Sequence, residues 1–96
     1  TEFGRTAHVN GTGGTDHGTA STLILAGGAI KGRGIIGDWP GLGSGQLFEN
    51  RDTAPTLDMR RVFKTLIVDH LGVDRRLADT RVFPESRDAG LIDGLV

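Results

Sequence analysis

Apolar residues in the C-terminal half follow one regular pattern. Met59, Val62, Phe63, Leu66 and Ile67 stand at i, i+3, i+4, i+7 and i+8, the spacing of a single helical face. Arg60, Arg61, Lys64 and Asp69 fall largely off it. The pattern predicts an amphipathic helix over 56–71 that packs on a sheet. Pro55 and Thr56 mark its start. Asp58 lies in the first turn, where the helix dipole favours negative charge, and Gly72 suits the position just past the end. His70, in the last turn, reads as structural.

The N-terminal half has only short apolar runs. Leu23-Ile24-Leu25-Ala26 and Ile35-Ile36, bounded by glycine, predict a strand, a turn and a strand. Gly27-Gly28 lacks the Gly-Lys-Ser/Thr ending of a phosphate cradle and reads as turn chemistry. Lys31 and Arg33 would form a solvated hairpin tip. Residues 1–20 and 38–55 read as loops, with Trp39 covering the edge of the core and Glu49-Asn50-Arg51-Asp52 charged and exposed. Twelve of the sixteen glycines fall between residues 11 and 45, so this half cannot be strongly helical. Beyond residue 72 the pattern predicts a helical turn over Asp74 to Ala78 and a strand-like Arg81-Val82-Phe83. A break at Pro84 and a tail follow; the tail either docks as an edge segment or frays. Leu77 and Phe83 are core candidates.

Composition narrows the class. The chain has 96 residues, net charge −1 and no cysteine: one small domain, without disulfides or thiolate metal sites. The near-zero charge argues against a nucleic-acid surface. No apolar run approaches the ~20 residues of a membrane span. The first residues are not a basic-then-apolar leader. Thr1-Glu2-Phe3-Gly4 reads as the end of a strand-to-loop connection, so we expect residues 1–96 to be the C-terminal segment of a longer domain. The rest of the sheet would lie upstream.

The candidate chemistry sits in Asn10-Gly11-Thr12-Gly13-Gly14-Thr15-Asp16-His17-Gly18. Asp16 and His17 place a hard oxygen donor beside a borderline nitrogen donor, a pair suited to zinc, manganese or a similar divalent ion. Flanking glycines let both side chains turn toward one point. The competing reading is a glycine-rich turn in which Asp16 caps and His17 faces solvent. Arg5 is either an anion contact, since its fork fits two phosphate or sulfate oxygens, or the partner of Glu2 in an ion pair. Glu2 carries the same ambiguity, as a metal ligand or support on one side and an ordinary ion pair on the other. His8 reads as solvent-exposed, and Thr15 and Thr19 as neighbours of the metal pair.

These blocks together resemble a known family. Thr1-Glu2-Phe3-Gly4-Arg5-Thr6, the Asn10–Gly18 loop, Leu25-Ala26-Gly27-Gly28, Trp39-Pro40-Gly41-Leu42, Arg51-Asp52-Thr53-Ala54, Asp69-His70-Leu71-Gly72 and Arg81-Val82-Phe83-Pro84 resemble the C-terminal part of the DUF1501 family. That family is similar to the alkaline phosphatase, sulfatase and cofactor-independent phosphoglycerate mutase group. The resemblance implies an α/β class, as the end of a three-layer α/β/α domain. It implies Asp16 and His17 as ligands of one divalent ion; on our reading of the residues, Glu2 and Thr15 would support them. It further implies a small-molecule or polymer ester of phosphate or sulfate as substrate, a Ser, Thr or metal-bound hydroxide nucleophile upstream, and an exported or periplasmic location. The segment alone would be inactive. The alternative is a non-catalytic binding or assembly module that keeps the fold.

Overall fold

The computed structural model describes residues 1–31 and 34–96. The class is mixed α/β, with one two-stranded sheet and two helices among the described residues. Two compact units form, Thr1–Leu25 with Gly37–Thr56 and Ala26–Ile36 with Leu57–Val96.

In the first unit, β1 (Gly4–Arg5) pairs antiparallel with β2 (His17–Gly18), Gly4 opposite Gly18 and Arg5 opposite His17. Asn10 builds the loop between them. Its Oδ1 accepts from Thr12 N, Thr12 Oγ1 and Gly14 N at 3.0, 2.8 and 3.0 Å. A side-chain carbonyl that takes over backbone donors makes a turn that needs no apolar packing. Gly13 has φ +81°, a conformation in which a Cβ is strained.

A second tight turn follows Phe48. Arg51 N–H donates to Phe48 C=O at 3.0 Å, and Glu49 and Asn50 both have positive φ, 52° and 54°. This is the mirror-image turn whose twist suits hairpins. It returns the chain so that Asp52 bridges antiparallel to both Phe48 and Thr6.

The predicted strands at Leu23–Ala26 and Ile35–Ile36 do not form; both segments are irregular. Ile24 is 80% and Ile35 95% exposed. A strand exists only with a ladder partner, and neither run has one among the described residues. The turn after Leu25 is present, with Ile30 N–H donating to Gly27 C=O at 3.2 Å. Lys31 is exposed, as expected of a tip, while Arg33 lies outside the described residues. Trp39 is exposed rather than covering a core edge.

The second unit is built on the predicted helix. α1 spans Met59–Thr65 and runs on as a π-helical turn, Leu66–His70, closed by Leu71 N–H to Leu66 C=O at 3.2 Å. Asp58 is its N-cap, its carboxylate accepting from Arg60 N at 2.9 Å. Gly72, at φ +72°, ends it, and Val73 N–H reaches back to Ile67 C=O at 2.9 Å. Gly72 thus supplies the left-handed residue that commonly stops a helix, and its own N–H donates to Val68 C=O at 3.2 Å. α2 (Arg75–Leu77), capped by Asp74, continues as a π-helical turn over Ala78–Val82. The strand-like reading of Arg81–Phe83 is therefore corrected: the helical turn runs through Val82 and overrides the β-prone Val82-Phe83 before Pro84.

The apolar face is real but partial. Val62, Ala78, Ile92 and Leu95 form the buried core, Phe63 stacks on Phe83 with ring centroids 6.4 Å apart, and Met59 and Leu77 are exposed. The unexpected part is the polar flank. Lys64 and Thr65 are both 0% exposed. Lys64 Nζ donates to Asp79 Oδ1 at 2.5 Å and to the Ser86 carbonyl at 2.6 Å. Thr65 Oγ1 accepts from Ile92 N at 2.9 Å, and Arg61 Nη2 donates to Leu91 C=O at 3.2 Å. The tail thus docks on the polar flank through polar bonds and buries Ile92 and Leu95. The Lys64 ammonium holds the Asp79 carboxyl below the usual carboxylate range, with Arg75 assisting and burial opposing.

Candidate functional site

Register decides what the ribbon presents. Thr6 N–H donates to Asp16 C=O at 3.0 Å, so Arg5 and His17 are a non-hydrogen-bonded antiparallel pair, the kind whose side chains stand closer. Strand alternation puts Phe3 on the same face as Arg5. The contacts agree. The Phe3 and His17 rings lie 4.0 Å apart at 35°, and the Arg5 guanidinium carbon stands 5.5 Å from the Phe3 centroid. All three residues are exposed. Arg5 Nη1 donates to Thr15 C=O at 2.9 Å, which fixes the guanidinium beside the loop and leaves other donors of its fork toward solvent.

The opposite face is glycine, by necessity. A Cβ on Gly4 would collide with the Ala20 carbonyl. One on Gly18 would stand 2.8 Å from Arg5 backbone atoms and 3.0 Å from Asp52 Oδ2. The backbone after β2 and the Asp52 carboxylate occupy that side. One face is thus packed shut and the other open, as two glycines opposite each other dictate.

Of the residues singled out from sequence, the structure joins Arg5, His17 and Thr15. Asp16 is exposed, and its Oδ1 accepts from Asn10 Nδ2 at 3.1 Å. Its backbone is pinned by Thr6 Oγ1, which accepts from Asp16 N at 3.1 Å. Asp16 and His17 therefore have different side-chain partners. The Arg5–Glu2 ion pair does not form; Glu2 Oε1 accepts instead from Phe3 N at 2.9 Å. His8 is exposed, as expected.

The donor set fits a divalent ion in part. A carboxylate and an imidazole, both open to solvent, are acceptable ligands, but among the described residues no three His, Cys, Asp or Glu side chains cluster as a metal shell.

The structure departs from the sequence expectation at one further residue. Asp52, expected to be exposed, is 0% exposed. Its Oδ2 accepts a short bond from Thr19 N–H, which holds its carboxyl below the usual range against the opposing effect of burial. Its neighbour Arg51 donates Nη2 to the His17 carbonyl at 3.2 Å. The only sequence signal was Glu49-Asn50 as a turn before Arg51-Asp52. A charged quartet gives no sign that its last member turns inward.

The family model described as protein of unknown function, DUF1501, matches residues 1–85. No curated protein and no solved structure matches the chain. Among the described residues, no helix is long and apolar enough to cross a membrane.

Proposed function

The chain belongs to the DUF1501 family, and from that premise we propose that the open face of its ribbon is the oxyanion-binding, metal-binding end of a phosphate- or sulfate-ester hydrolase-like protein with an alkaline phosphatase-like three-layer fold. The observation that supports this most is the close cross-strand pairing of Arg5 with His17 on a face that nothing covers within its unit; Asp16 is the residue before His17 in the chain. Arg5 is held by the Thr15 carbonyl and by the Phe3 ring, so its remaining N–H donors are preoriented for two oxygens of a tetrahedral anion. His17 and Asp16 contribute one nitrogen and one oxygen ligand to a divalent ion, zinc or manganese by donor type. Such an ion, when bound, polarises an ester oxygen and offsets negative charge on it. The Glu2 carboxylate accepts from the Phe3 backbone N–H, and the Thr15 carbonyl accepts from the Arg5 guanidinium, so both support the groups on this face. The nucleophile lies outside this ribbon face, whose side chains are Phe3, Arg5 and His17.

Elemental analysis of the intact protein and of its Asp16→Ala, His17→Ala double variant tests this. We expect metal in the first and a loss of most of it in the second. Equal metal content in both would remove the pair from any metal site.

A further inference from the structure

Asp52 has no part in the reading above, yet it is tied to the His17 segment by two routes. Its Oδ2 accepts the Thr19 N–H and packs against Gly18. Its Oδ1 is buried with no hydrogen bond and lies 3.9 Å from Arg51 Nε. Arg51 in turn donates to the His17 carbonyl. In a non-hydrogen-bonded pair the His17 C=O points away from β1, so the ladder does not hold it. Arg51 does. The next outward group along the chain, Thr19 N–H, is held by Asp52. The pair therefore grips the peptides on both sides of Gly18.

We propose that Asp52 is a positioning residue for His17. With Arg51 it fixes the His17–Thr19 backbone and so sets where the imidazole stands on the open face. Asp52 packs on the glycine side of the ribbon, so it acts through the backbone and does not touch a ligand on the His17 side. Two features fit this role. A buried carboxylate with an unbonded oxygen is costly, and packing alone does not require one. The turn that delivers it keeps Glu49 in the left-handed region, a strained conformation for a residue with a Cβ. The consequence for metal rests on the reading of His17 as a ligand; the positioning itself does not.

The test uses the intact, metal-free protein with nitrogen-15 labelling, and follows the His17 ring signals. Asp52→Asn keeps an acceptor for Thr19 but loses the charge; Arg51→Gln leaves Asp52 in place and removes the guanidinium. We expect both to shift the His17 ring signals, with signals from residues 57–96 unmoved. Asp52→Ala should shift them further. Cobalt(II) titration, read by its visible spectrum, should show about tenfold or weaker affinity in Asp52→Asn. His17 signals unmoved in Asp52→Asn and Arg51→Gln would overturn the proposal. So would collapse of the signals of residues 1–25 in Asp52→Asn while Arg51→Gln leaves His17 unmoved, which would make Asp52 a fold residue only. If the unaltered protein takes up no cobalt, the metal reading fails, and the ring signals still decide the positioning.

Discussion

Each of the two units has a buried carboxylate, and the two are neutralised in opposite ways. Asp79 meets Lys64, itself wholly buried, and Arg75 Nε stands 3.6 Å from its other oxygen. Asp52 meets a backbone N–H and, at 3.9 Å, an arginine whose side chain is 55% exposed. The first arrangement is closed and holds a tail to a helix. The second is half open: its anion is hidden, while Arg51, Arg5 and His17 face water. A buried pair whose charges satisfy each other has little left for a ligand. A buried anion that organises a loop under exposed cationic and imidazole groups leaves those groups free to act.

The largest test of the contrast is Lys64→Met. Removing the ammonium leaves Asp79 buried without its main partner, and breaking such a pair costs about 3–5 kcal/mol. Urea unfolding followed by signals of residues 57–96 should show that loss. A change within ~0.5 kcal/mol, the range of a surface substitution, would mean that the pair is not buried in solution.

Gly4→Ala sharpens the other side. A methyl there meets the Ala20 carbonyl, and backbone cannot swing away as a side chain can. Overpacking of this kind costs about 1–3 kcal/mol. We expect the cross-strand nuclear Overhauser contacts between residues 5 and 17 to vanish while the second unit keeps its signals. Their survival would contradict the two-faced ribbon.

Acid should act on both units in the same direction. The Lys64 ammonium lowers the Asp79 carboxyl, and the Thr19 N–H lowers that of Asp52, each below the ordinary 3.8. The stability each carboxylate contributes is full above 3.8 and is lost as pH falls through its lowered value. Lys64→Met should flatten that acid dependence in the second unit alone. Equal flattening in both, read by unit-specific amide signals across an acid titration, would contradict the assignment.

Sequence pattern reached the parts of this architecture that are local. The helix and its Gly72 stop follow from spacing and backbone preference, which act over a few residues; its start does not, since Asp58, expected inside the first turn, is the cap that precedes Met59. Arg5 and His17 were both singled out as chemistry-bearing, but their pairing was not, because it depends on the register of an eleven-residue connection, residues 6–16, knitted by Asn10. The burial of Lys64 and Asp52 was illegible for a related reason. Each is hidden by a partner far along the chain, Asp79 for one and Thr19 for the other, and no periodicity encodes such a meeting. The failed strands at Leu23 and Ile35 show the converse: β-prone composition without a ladder partner stays irregular.

The smallest expected change in stability belongs to the substitution that tests the site most directly. Arg5→Lys keeps a charge on the open face but loses the planar fork. Calorimetric titration of phosphate, and separately of sulfate, into the zinc-supplemented intact protein would be run beside a thermal melt. The account predicts weaker anion binding in Arg5→Lys, by several-fold or more, with a melting temperature nearly unchanged. A large drop in melting temperature with unaltered anion affinity would make Arg5 a structural residue, clamped to Phe3 and the Thr15 carbonyl, and would contradict the oxyanion site.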